Sequence, residues 1–161
     1  LCPAGTDSAR HRTIPCSENI QKLPKLEVGS PEVVETEAKY RSLVGCLLWV
    51  ASTTRPDIAF AVSVLSRFLS CAGTEHYKAA IGVLQYLMYS KNYKLRLGCP
   101  ADSTFGESIP DGVRANQLTV FTDASFGEER PMGGFIIHYE GGPIHWVSKR
   151  LTCTPLSYIK H

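Results

Sequence analysis

The sequence predicts an α+β fold, with a part made of three consecutive helices followed by a three-stranded antiparallel meander. Two changes of pattern predict it. Between residues 37 and 97 apolar side chains recur at helical spacing, and from Leu118 the period drops to two. The 161 residues are 43% hydrophobic and 20% charged, ordinary globular usage that excludes a disordered tail, a fibre or a disulfide miniprotein. No apolar run reaches the roughly 18 residues that a membrane span requires, so no membrane role is expected.

Residues 1–36 hold four prolines and little periodicity, which reads as a leader or linker. The order Leu1-Cys2-Pro3-Ala4-Gly5 is not that of a secretory signal, and residue 1 is not Met, so the chain is expected to be a piece of something longer. Thr36 is the expected cap of the first helix, whose apolar stripe is Tyr40, Leu43, Leu47 and Ala51, widened by Val44 and Leu48. Thr53-Thr54-Arg55-Pro56-Asp57 breaks it. Pro56 suits the first turn of a second helix, and Asp57 suits the positive end of its dipole. Ile58, Val62, Leu65 and Leu69 carry that helix to Cys71-Ala72-Gly73. Thr74 is the expected cap of the third helix, striped by Tyr77, Ile81, Leu84 and Met88.

Residues 98–117, rich in Gly, Pro, Asp and Ser, read as a linker. The last part, residues 118–161, opens with a strand from Leu118 to Asp123. Gly133–Tyr139 is the second strand, Glu140-Gly141-Gly142-Pro143 the turn, and Ile144–Ser148 the third strand. Short turns between strands make the meander antiparallel.

The cysteines show no Cys-x-x-Cys pair, so a zinc ribbon is not expected. Cys46 and Cys71 lie in apolar patterns and read as small core residues, usage that fits a reducing, intracellular compartment. His138 and His145 could face each other across the hairpin, but two histidines do not make a metal site.

Charge is uneven within a net +2. Residues 38–97 hold eight Lys/Arg against two Asp/Glu, and both flanks are mildly acidic. A basic middle suits a polyanion or a solvated helix surface. Arg55, Arg67, Lys78, Lys91 and Lys94 are the candidate phosphate contacts, with Arg96 beside them. Tyr77, Tyr86, Tyr89 and Tyr93 could stack on bases or sit half-buried in the core. Asp123, at the end of Val120-Phe121-Thr122, either caps the following loop or ligates a metal. A two-metal phosphodiester site needs several converging carboxylates, and Glu128, Glu129 and Glu140 all fall in turns.

Taken in order, these segments resemble one family. Tyr40-Arg41-Ser42-Leu43-Val44-Gly45-Cys46-Leu47-Leu48-Trp49, Thr54-Arg55-Pro56-Asp57-Ile58 and Leu65-Ser66-Arg67-Phe68 are similar to the region after the reverse-transcriptase palm in the Pol polyprotein of copia-type LTR retrotransposons. Phe121-Thr122-Asp123-Ala124-Ser125-Phe126-Gly127, Gly133-Gly134-Phe135 and Ile144-His145-Trp146-Val147-Ser148 resemble the start of its ribonuclease H domain. The resemblance implies that residues 37–97 are a thumb or connection gripping template–primer duplex or RNA–DNA hybrid. It implies that residues 118–161 are a truncated ribonuclease H-like domain with an incomplete sheet. Asp123 would be a catalytic residue and Mg²⁺ ligand of the intact parent, whose remaining Pol segments would be partners in a cytoplasmic particle or the nucleus.

The chain also departs from the family. The polymerase's Tyr-x-Asp-Asp is absent, and after Leu156-Ser157 the stretch Tyr158-Ile159-Lys160-His161 stands where the family carries its second acid. The expectation is therefore a Pol fragment with neither polymerase nor nuclease activity alone. The alternatives are a non-catalytic nucleic-acid-binding module and a decayed retroelement reading frame.

Overall fold

The computed structural model describes residues 12–95, 97, 118–125 and 131–152. The chain divides into two compact units, Leu1–Tyr93 and Lys94–His161.

In the first unit a 3-10 turn, Glu18–Lys22, precedes helix α1, Pro31–Thr53. Ser30, in extended conformation, is the residue before α1. Pro31 opens the helix because its missing N–H is one of the four unpaired there anyway, and Glu32 complements the positive end of the dipole. The helix therefore starts at Pro31 and is not capped by Thr36. Val33 and Ile20 are both buried, so part of the expected leader belongs to the folded unit. The periodicity argument passed over them because each is a lone buried residue in its own turn.

A second 3-10 turn, Pro56–Ile58, leads into helix α2, Ala59–Leu65, and a third, Ser66–Phe68, leaves it. Helix α3 is Thr74–Tyr89. Its cap position is Gly73, not Thr74, and a glycine suits that position because a Cβ would run into the Leu26 and Glu32 side chains. The Glu32 carboxylate reaches across from α1 to accept the Thr74 N–H at 2.8 Å, and that bond holds its pKa below the usual carboxylate range. The start of α3 is thus capped both by Glu32 of α1 and by its own His76, whose Nδ1 accepts the Gly73 N–H.

Tyr40, Val44, Leu47, Ile58, Val62, Val64, Leu65, Ala80 and Val83 form the centre of one core. Tyr40 is wholly buried, and its hydroxyl donates to the Leu65 carbonyl at 2.7 Å, so α1 and α2 are joined without an unpaired polar atom. Burial of each large side chain here contributes roughly 1.5–3 kcal/mol. The buried face of α3 differs from the expected one. His76, Ala80, Val83 and Tyr86 point inward, while Met88 is exposed and Tyr77, Ile81 and Leu84 are half-buried. Ala80 is small enough to pack closely in the core, Gly82 makes room for the Arg12 side chain, and that packing overrides the hydrophobicity of the neighbouring stripe. Cys71 is buried as expected, but Cys46 is exposed.

The second unit contains strands β1 (Leu118–Ala124), β2 (Met132–Tyr139) and β3 (Gly142–Arg150), paired antiparallel in the order β1-β2-β3. The turn is tighter than expected. Only Glu140 and Gly141 form it, with φ of 48° and 80°, and Gly142 and Pro143 already belong to β3. Two consecutive left-handed residues make the type I′ geometry whose twist matches the strands. The register slips between Ile137 and His138. His138 pairs with Pro143, whereas His145 pairs with Ile137, so the two histidines do not face each other. Each instead meets a phenylalanine at 5.6 Å, His138 with Phe121 and His145 with Phe135.

Among the described residues, no helix is long and apolar enough to cross a membrane.

Candidate nucleic-acid interface

Arg55 lies where the break after α1 brings the chain under the end of α3. It is only 8% exposed. Its Nε and Nη2 donate to the two Asp57 carboxylate oxygens at 2.9 and 2.7 Å, a fork-to-fork pair. Nη1 donates to the Ser90 carbonyl at 3.2 Å and Nη2 to the Ser90 hydroxyl at 2.5 Å. Tyr86 donates its hydroxyl to Asp57 at 2.7 Å. Burial pushes the Asp57 carboxyl up, but the hydrogen bonds from Arg55 and Tyr86 outweigh it and hold it below its ordinary range. The hydrogen bond to Asp57 raises Arg55. A cation against the last carbonyls of α3 also meets the negative end of that helix. This accounts physically for Arg-Pro-Asp: Pro56 turns the chain, and the two charged residues flanking it close on each other. Arg55 therefore binds its own fold, and its donors do not face solvent as a phosphate contact would require.

The other predicted cations are spread out. Arg67 is half-buried in the 3-10 turn after α2. Lys78 is exposed near the start of α3 and paired with Glu75 at 2.8 Å. Lys91 and Lys94 are exposed beyond the helix end. Lys78 and Lys91 stand roughly 20 Å apart at 1.5 Å per residue, so the helix does not gather them into one cluster. Arg96 lies outside the described residues.

Asp123 is exposed at the end of β1, where its Oδ1 accepts the Ala124 N–H at 2.8 Å. Asp123 pairs with Gly134, and Glu140 follows the opposite end of β2, roughly 20 Å away at strand spacing. Among the described residues no group of three or more His, Cys, Asp or Glu could hold a metal ion. One exposed carboxylate does not fit the demands of Mg²⁺, which takes an octahedral set of oxygens and, for two-metal hydrolysis, several shared acids. Glu128 and Glu129 lie outside the described residues, as does the segment from Leu156 to His161.

The sequence reading missed a face of α1. Opposite the core, Ala38, Ser42, Gly45 and Trp49 line up, flanked by Cys46 and Thr53, all exposed. Trp49 is 68% exposed. No side chain lies within 4 Å of where a Gly45 Cβ would sit. From Ser42 to Thr54 there is no charge at all. A 13-residue stretch without charge reads as core; the signal for the opposite reading was Gly45 and Trp49 one turn apart, off the buried stripe.

Comparison with known proteins bears on this arrangement. The chain is 35% identical over 132 residues to a putative transposon Ty5-1 protein of Saccharomyces cerevisiae, covering 80% of this chain and 38% of that protein. It is 34% identical over 122 residues to the retrovirus-related Pol polyprotein from transposon TNT 1-94 of Nicotiana tabacum, covering 73% of this chain and 8% of that one. The chain belongs to the retrotransposon Pol family. It spans well under half the length of these two Pol relatives. A protein named secreted RxLR effector protein 161, from Plasmopara viticola, is 31% identical over 124 residues, covering 73% of this chain and 77% of that protein. No family model matches the chain, and no solved structure matches it. As a Pol-family chain it pairs Gly45 and Trp49 on an open helix face with a buried Arg55 closed on a more exposed Asp57.

Proposed function

We propose that this Pol-family chain is the thumb or connection region of a copia-type reverse transcriptase running into the start of its ribonuclease H domain, and that its helical unit grips template–primer or RNA–DNA hybrid. The observation that carries the reading is the outward face of α1. A strip of small residues ending in an exposed Trp can lie close against a nucleic-acid groove, because Gly45 leaves room for a backbone and Trp49 offers an aromatic surface for sugars or bases. The lack of charge from Ser42 to Thr54 suits the groove, while exposed Lys39 and Arg41 at the near end suit phosphates. Arg41 also pairs with Glu37 at 2.7 Å, so its contribution to a phosphate contact is a shared one. Lys91 and Lys94 remain candidate phosphate contacts; Arg55 serves the fold instead.

Chemistry is assigned to the intact parent. Asp123 would hold Mg²⁺ there only with carboxylates beyond the described residues, and the bound ion would supply charge neutralisation for cleavage of the RNA strand. For this chain the reading is binding without turnover, and a compartment where Pol meets its template.

The test is fluorescence anisotropy with a labelled 16-base-pair RNA–DNA hybrid. Binding should weaken steeply between 50 and 200 mM salt, with each phosphate contact adding about 0.9 to the logarithmic slope. Trp49→Ala should weaken it about tenfold, the loss of one large aromatic packed on the sugars of the groove, without lowering the melting temperature. Hybrid binding that ignores Trp49→Ala would sink the groove reading and point instead to a surface that packs against another Pol segment. Mg²⁺-dependent cleavage lost in Asp123→Asn would overturn the claim that the chain is inactive alone.

A further inference from the structure

The Arg55 guanidinium has two faces as well as two edges. Its edges are held by Asp57 and Ser90. One ring against it is Tyr86, buried, with its centroid 5.5 Å from Cζ. The other is Tyr93, at 5.7 Å, and Tyr93 is 64% exposed. Tyr93 is held a second time by its own N–H, which donates to the Ser90 carbonyl at 3.0 Å. Lys91 and Asn92, the two residues before it, are both exposed. An aromatic ring is thus pinned to a rigid cation on one side, left bare to solvent over most of its surface, and accompanied by an exposed lysine.

That arrangement differs from the α1 face. An open ring surface beside a cation is what a base stacks on when its own neighbour is missing. Bases inside a duplex are already stacked above and below. We infer that Tyr93, seated on Arg55, is a stacking platform for one unpaired base of a single-stranded nucleic acid, with Lys91 contacting an adjacent phosphate. The inference rests on the nucleic-acid reading of the helical unit but names a different ligand state. Arg55 takes part as a positioning residue, since it touches the ring and not the base.

The experiment uses the full chain and two probes, a fluorescein-labelled 12-nucleotide oligothymidylate and a blunt 12-base-pair RNA–DNA hybrid. Tyr93→Ala should weaken oligothymidylate binding about tenfold, the loss of one base–aromatic stack, and change hybrid binding less than twofold. Tyr93→Phe should keep both. Lys91→Ala should weaken both probes and flatten the salt dependence by about one phosphate contact. Arg55→Lys keeps the charge and loses the planar fork. It should weaken oligothymidylate binding when Tyr93 is present and add nothing in a Tyr93→Ala background, a dependence that a merely structural role does not produce. If Tyr93→Ala leaves oligothymidylate affinity unchanged, or the oligonucleotide does not bind, the platform is overturned. Hybrid binding that depends on Trp49 alone would leave the duplex reading standing without this one. Oligothymidylate binding that depends on Tyr93, with no hybrid binding, would do the reverse.

Discussion

Val62, Val64 and Leu65 in α2 expose no surface, whereas Leu118 and Val120 in β1 keep 62% and 50% of theirs. Both units are built from segments rich in apolar residues, and much of the difference is architectural. Helix α2 is walled in by α1, α3 and three 3-10 turns, and each of its faces finds a partner. A three-stranded sheet is a single layer, and a single layer has two faces to cover. Leu118, Val120, Phe121, Tyr139 and Ile144 all remain large and exposed there. The helical unit closes a core of its own, although Leu48, Trp49 and Met88 stay exposed on its surface, and the described sheet does not.

The sharpest way to break that comparison is to delete the same kind of atom from each unit. Ile58→Ala should cost about 2–5 kcal/mol of stability in chemical denaturation, because a buried cavity remains. Val120→Ala should cost no more than about 0.5 kcal/mol, the range of an exposed site. Similar losses at both positions would mean that the β1 face is covered in solution.

Hydrogen exchange sharpens the contrast next. Amides in the middle of α2 and α3 should be protected up to the global unfolding free energy. Those of β1, paired among the described residues to β2 only, should exchange through smaller openings.

Acid should act on the helical unit at His76. Its Nδ1 accepts the Gly73 N–H at 3.1 Å, and its ring packs on Phe68 at 4.4 Å and on Tyr40 at 6.3 Å. Burial lowers its pKa, against opposing pulls from Glu32 and Glu75. A lowered folded-state pKa means that the unfolded chain binds the proton first. The contribution of His76 is therefore complete above about pH 6.5 and is lost as pH falls through the folded value. Melting temperature should drop between about pH 7 and 5, and His76→Gln should flatten that limb. The smallest effect belongs to the Glu75–Lys78 pair. Both side chains are well exposed, so Lys78→Ala should change stability by no more than about 0.5 kcal/mol.

Particular residues mark how much was legible. Ile58, Val62, Leu65 and Leu69 read as the stripe of one helix; the first three are buried and Leu69 is half-buried, but the run is broken into a 3-10 turn, α2 and a further 3-10 turn. The meander was legible because alternation and turn residues are local. Arg55 was read as a phosphate contact because a sequence displays its charge but not the Ser90 group 35 residues away that takes it up. Trp49 was passed over because an apolar residue in an apolar helix signals core, whichever way it points. The α3 stripe was misplaced for a related reason, since hydrophobicity outweighed the small residues that govern close approach.

Sequence by itself determined that this chain would make helices and then a meander, and it displayed the ordered motifs that relate it to retrotransposon Pol. Those properties depend on neighbours within a few positions, and period, proline and glycine report them directly. Only the tertiary structure decided which charges are spent inside, which face of α1 is left open, and which tyrosine is pinned but bare. Each of those depends on a partner distant in the chain: Glu32 for Thr74, Ser90 for Arg55, Leu65 for Tyr40. Burial is a property of the pair, and a linear pattern records only one member of it at a time.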